Sequence, residues 1–222
     1  MPVLLLLVLM LIAVPTTVLA DTQFNYDGFF ARMKKSEKAE FSDITLAFLL
    51  QKQGTTEVCD IEQADITTDI SSEPLTLASN GELILPYSEL LNRRKALIKI
   101  RQPDTAVPCD LNFRLRSKIA LDASISWASL LKLHQQFDAL LQDLAGLGKY
   151  FLPPMTGVSI HFNTDVTLLQ APATLQNRIR CQSQICHVQL LPALSAEDLA
   201  DPLESVTFSS APSYLVPMLT RQ

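Results

Sequence analysis

Apolar residues recur along this chain with two different periods. Most runs are short and alternate apolar with polar positions: SDITLAFLLQ, CDIEQADI, ALIKIRQ, CDLNFRLRSKIAL and GVSIHF. Residues two apart on an extended chain share a face, so each run predicts a strand with one side turned to a core. PLTLAS and ELILPY flank Asn80-Gly81, a dipeptide that predicts a hairpin. Two longer stretches change to the helical period. In FNYDGFFARMKKSEK, Tyr26, Phe29, Phe30 and Met33 fall on one helix face, with Asn25 as N-cap. SWASLLKLHQQFDALLQDLAGLG predicts a long helix over 126–147, started by Ser124 or Ser126 and stopped by Gly146 or Gly148. Its stripe of Trp127, Leu130, His134, Phe137, Leu141 and Leu144 is widened by Leu133, Leu140 and Leu147, as in a helix laid on a core. SELLNRRKA predicts one helical turn. Near the end, TLQNRIR and HVQLLPA read as the arms of a hairpin. SAEDLA reads as a short helix with Ser195 and Asp198 in capping positions, SVTFS as a strand, and APSYLVPMLTRQ as a tail lying along the surface.

These elements predict a β-rich α+β fold: an antiparallel, sandwich-like sheet stapled by a disulfide, with a short N-terminal helix and one long flanking helix. The organisation expected is a signal peptide over 1–20, a main β-rich domain over 21–165, and a C-terminal disulfide hairpin and tail over 166–222. The leader is read from an apolar run over 3–14, then Pro15, then Val18 and Ala20 at the small-residue positions before a cut after Ala20. No Lys or Arg precedes the run, so the amino terminus alone supplies its positive charge. The run is shorter than the roughly 20 residues that span a bilayer. No later stretch is apolar enough to cross a membrane, so a soluble periplasmic protein is expected.

Charge narrows the partners. Eighteen Lys and Arg against 23 Asp and Glu leave a net charge of −5, which argues against nucleic acid as ligand. The four cysteines change the picture more. Cys181 and Cys186 lie close together in the predicted hairpin, and pairing them leaves Cys59 for Cys109. Closing the longer loop is worth about 4 kcal/mol and the shorter about 2. A structural zinc site usually shows two close ligand pairs, and here only one pair is close. Two disulfides in an oxidising compartment, with no metal and no other cofactor, are therefore expected.

No compact catalytic signature is present: no G-x-S-x-G, H-E-x-x-H, C-x-x-C or phosphate-binding glycine loop. His187 adjoins Cys186, but strand neighbours point to opposite faces, so the two cannot form a nucleophile–base pair. His134 takes a core-facing helix position, and His161 alternates with Ile160 and Phe162. The carboxylates are scattered, and no catalytic residue is assigned. The basic residues make the candidate binding site. Lys99 and Arg101 alternate with Ile98 and Ile100, and Arg114, Arg116 and Lys118 share one face of the next run. If these strands are neighbours, five basic groups line one surface that suits a phosphate- or carboxylate-rich envelope polymer. The ordinary alternative is cross-strand pairing with Asp60 and Glu62.

The run FNYDGFFARMKK, the spaced SDITLAFLL and CDIEQADI, GELILPYSELLNRRKALIKI, the cysteine ahead of an L-x-F-x-L-R strand, the leucine-rich helix and KYFLPPMTGVSIHF together resemble a known family. Its members are uncharacterised secreted proteins of gamma-proteobacteria, known only as a domain of unknown function. The resemblance covers 24–162 and leaves Cys181 and Cys186 outside. It implies a Gram-negative periplasmic setting and assigns no catalytic residue. The function expected is a non-catalytic binding or accessory role in the cell envelope, with an anionic envelope component or another envelope protein as partner. The alternatives are an envelope-polymer hydrolase and an accessory subunit that docks a protein through its helix or tail. A pocket gathering His161 or His187 with carboxylates favours the hydrolase. An unpaired basic face favours anion binding, and an exposed apolar helix face favours the docking subunit.

Overall fold

The computed structural model describes residues 21–103, 106–173, 175–190 and 204–220. The expected leader and the SAEDLA helix lie outside these residues. Strand β1 (Asp21–Asn25) leads into helix α1 (Tyr26–Ser36), and β2 (Ile44–Lys52), β3 (Gln63–Thr67) and β4 (Ser72–Pro74) follow. The Asn80-Gly81 turn joins β5 (Thr76–Leu77) to β6 (Leu83–Ile84). The single-turn helix α2 (Glu89–Arg93) precedes β7 (Leu97–Arg101), β8 (Cys109–Ser117) and β9 (Ser124–Ser126). After the long helix α3 (Trp127–Ala145) come β10 (Met155–His161), β11 (Leu168–Gln170) and β12 (Ile179–Gln182). The last strands are β13 (Ile185–Gln189), β14 (Ser205–Phe208) and β15 (Tyr214–Leu219). Pairing is antiparallel in sheets ordered β1-β7-β3-β4, β12-β13-β10-β15 and β11-β14-β9, and in the ribbons β2-β8 and β5-β6. The fold is the expected β-rich α+β class.

Both amphipathic helices bury most of the stripe their spacing sets; Leu147, expected on the α3 stripe, falls after the helix and is exposed. In α1, Tyr26, Phe29, Phe30 and Met33 are buried, and the Phe29 ring packs 5.0 Å from that of Phe48 on β2. The Tyr26 hydroxyl donates to the Pro86 carbonyl and accepts from the Ser88 amide, which fixes the approach to α2. Helix α3 starts where the Ser126 hydroxyl accepts from the Ser129 amide, and it stops at Gly146, whose φ of +56° suits glycine. Trp127, Leu130, Leu133, Phe137 and Leu140 are buried beneath it. Each such side chain contributes about 1.5–3 kcal/mol by leaving water.

Cys59 bonds to Cys109 and Cys181 to Cys186, as expected. The structure departs from expectation in the placement of strands. CDIEQADI becomes a strand only from Gln63, because the Cys59 amide is already bonded to the Leu50 carbonyl at the end of β2. The C-terminal tail does not lie on the surface. It forms β15, pairs with β10 and buries Leu215 completely. Pro217 is tolerated there because β15 is the last strand of its sheet and one side needs no donor. Strands β7 and β8 are not neighbours: β7 lies between β1 and β3, whereas β8 pairs with β2. Alternation dictates which face a side chain takes but not which strand lies alongside. β13 and β15 flank β10 on either side, so strands from before and after residue 165 share one sheet.

Candidate functional site

In β10 the alternation sends Val158 and Ile160 into the core and leaves Ser159 and His161 on the other side of the sheet. Register then selects their neighbours. Ser159 lies opposite His187 of β13, with its hydroxyl 2.9 Å from the imidazole Nδ1. His161 lies opposite Tyr214 of β15, and the two rings stack at 4.7 Å and 14°. Burial pushes the His161 pKa below the ordinary histidine value, and the Arg114 guanidinium and His187 push it further down. His161 is thus neutral at neutral pH.

This face ends in a cavity of about 610 Å³. The β12–β13 turn supplies Gln182, Ser183 and Gln184, the end of β10 supplies His161, Phe162 and Asn163, and Ser213 and Tyr214 enter at the start of β15. Asn80 reaches in from the β5–β6 turn, and Ile185 and His187 complete the wall. The loops are tied together by backbone bonds. The Ser213 amide donates to the His161 carbonyl at 2.8 Å, and the Phe162 amide donates to the Gln184 carbonyl at 2.9 Å. The Ser213 hydroxyl donates to Asn163 Oδ1 at 2.7 Å. Ser183 holds a φ of +52°, a left-handed conformation few non-glycine residues adopt, in a tight turn closed by the Cys181–Cys186 bond.

Both histidines are gathered here, but the lining contains no carboxylate. A serine–histidine pair used for acyl transfer needs a third group to orient the imidazole and donors for the developing oxyanion. Ser159 is buried in the sheet and its contact with His187 is a cross-strand hydrogen bond. Among the described residues no group of His, Cys, Asp and Glu is placed to hold a metal ion.

The five predicted basic residues are divided between two sheets. Lys99 lies across the ladder from Asp65, and Arg101 Nη1 donates to Gln63 Oε1 at 3.0 Å. Arg116 Nη2 meets Glu82 Oε1 at 2.8 Å in a half-buried pair, and Lys118 is 3.8 Å from Glu37. Asp60, expected to pair with these arginines, is 3.3 Å from Lys52 instead, and the Glu62 amide donates to the Arg101 carbonyl. Of the set, Arg114 is the one whose charge acts on His161. The α3 stripe is spent on the core. Large exposed apolar side chains instead follow the helix, in the 3-10 turn Gly146–Phe151, where Leu147 and Phe151 are each 86% exposed.

His161 and His187 were visible in the sequence as single candidates. Their union needed two facts that no local pattern carries: the cysteine hairpin lies beside β10, and Tyr214 returns from the tail. Asn80, Asn163, Gln182 and Gln184 escaped notice because amides in turns are ordinary turn chemistry. Residues 19–162 match the family described as Protein of unknown function (DUF2987). That span holds Arg114, Ser159 and His161, whereas His187 and Tyr214 lie beyond it. No curated protein and no solved structure matches the chain.

Proposed function

The chain belongs to this family of proteins of unknown function, and we propose that it is an exported, periplasmic binding protein of the cell envelope that does no chemistry on its ligand. The cavity between β10, the β12–β13 turn and β15 is the ligand seat. One observation carries the reading: amides, hydroxyls and two imidazoles converge on a cavity of about 610 Å³ without a carboxylate among them. That volume is within the range of about 300–1,000 Å³ typical of ligand pockets. The two disulfides suit an oxidising compartment.

The accessory-subunit reading is favoured by a different observation, the exposed Leu147, Tyr150 and Phe151 after α3. One experiment separates the readings. The chain is recovered from the periplasmic fraction, with Asp21 expected at its amino terminus, and titrated with solubilised envelope polymers under NMR observation. Signals of His161, His187 and Tyr214 should shift while the polymer keeps its mass. Polymer cleavage abolished by Ser159→Ala would replace this reading with the hydrolase. Shifts confined to residues 147–151 would replace it with the docking subunit.

A further inference from the structure

We propose that the ligand of this cleft is an uncharged saccharide; the assignment rests on the cleft being the binding seat. The polar groups lining the cavity are amides, hydroxyls and imidazoles. Each of these carries donor and acceptor capacity in one side chain. Sugar hydroxyls likewise donate and accept at the same atom, so a cleft of such groups pairs with them in either sense. Gln182 and Gln184 are exposed, and among the described residues their side-chain amides make no bond to the protein. They are available to a ligand without breaking anything.

No Lys, Arg, Asp or Glu lines the cavity. A charged ligand would therefore leave water without meeting a counter-charge at contact distance, a cost that an uncharged one avoids. Arg114 is not among the lining side chains. The stacked His161–Tyr214 rings, with Ile185, give the cleft an apolar wall suited to the C–H face of a pyranose. His161 contributes as a neutral ring, since burial and the Arg114 guanidinium disfavour its protonation. The mouth is formed by the exposed β12–β13 turn, so a bound sugar unit can continue into a longer chain outside. A nucleotide would use the same amides and rings, but its phosphates would meet no Lys or Arg in the lining.

The test is an NMR titration of the full chain, with both disulfides formed, against maltotriose, cellotriose and tri-N-acetylchitotriose. A galacturonate trimer and inorganic polyphosphate serve as charged probes. At least one neutral trisaccharide should shift the side-chain amide signals of Gln182, Gln184 or Asn80. Tyr214→Ala should weaken that binding by about tenfold, the loss expected for one good contact. Because Tyr214 also packs in the sheet, Gln184→Ala in the exposed turn carries the test independently and should weaken binding severalfold with an unchanged fold. If only a charged probe moves the cleft signals, the saccharide assignment fails while the binding cleft stands. If no probe moves them, both fail.

Discussion

His134 lies on the core-facing stripe of α3, and among the described residues its buried Nε2 has no hydrogen-bond partner. Burial pushes its pKa down, against the charge of Asp138. His161 is shifted the same way. An imidazole whose native pKa lies below its unfolded value binds fewer protons in the folded state. The stability it contributes is full above the unfolded value of about 6.5 and is lost as pH falls through the window beneath it. Urea unfolding at about pH 7.5 and about pH 5.5 should show the loss, and His134→Gln should reduce it. Equal midpoints at both pH values in the wild type would sink this account. Arg116 illustrates what a local pattern cannot supply. Its outward-facing position was legible from alternation, but its partner Glu82 comes from a hairpin folded back across β2, where Glu82 bridges Leu49. The carboxylates that sequence proximity suggested went elsewhere.

Strand faces were legible for a simple reason: a period of two leaves no other way to bury Ile98 and Ile100 while keeping Lys99 and Arg101 outside. Helix α3 was legible in both period and caps. Strand partners were not, because the β7 and β8 patterns are equally compatible with many neighbours, and the short β9, β11 and β14 carry too few residues to show a pattern. The tail was misjudged because Pro217 masks an alternation that buries Leu215. Gly157 marks a close contact between β10 and β13. A Cβ built there falls 2.0 Å from the Val188 carbonyl oxygen and 3.1 Å from the Gln189 Cα, both backbone atoms that cannot swing aside. Gly157→Ala therefore has to push β13 off β10 beside the register shift between Met155 and Gly157. Overpacking of this kind costs about 1–3 kcal/mol, and a clash with backbone belongs at the upper end. Urea unfolding measures the loss, and the Ser159–His187 contact should weaken with it in the NMR spectrum. A variant as stable as the wild type would show that the strands part freely here.

Across the entire chain the two disulfides act on different problems. Cys109 ends the β2–β8 ribbon opposite Lys52, and Cys59 stands in the stretch that leads to β3 in another sheet. That bond closes a loop with a sequence separation of 50. Cys181 and Cys186 face each other across the β12–β13 ladder, at a separation of 5, where backbone bonds already align the strands. Constraint of the unfolded chain then predicts about 4 kcal/mol for the first and about 2 for the second. Cys59→Ser with Cys109→Ser should lower the urea midpoint clearly more than Cys181→Ser with Cys186→Ser. Both Cys59 and Cys186 are buried, so each serine pair also adds the cost of a buried hydroxyl, and reduction of the wild type provides the comparison free of it. The opposite order would have a specific meaning. It would show that the ladder alone does not set the β12–β13 turn, and that the short disulfide, with Ser183 held at positive φ, is what places Gln182 and Gln184 at the mouth of the cleft.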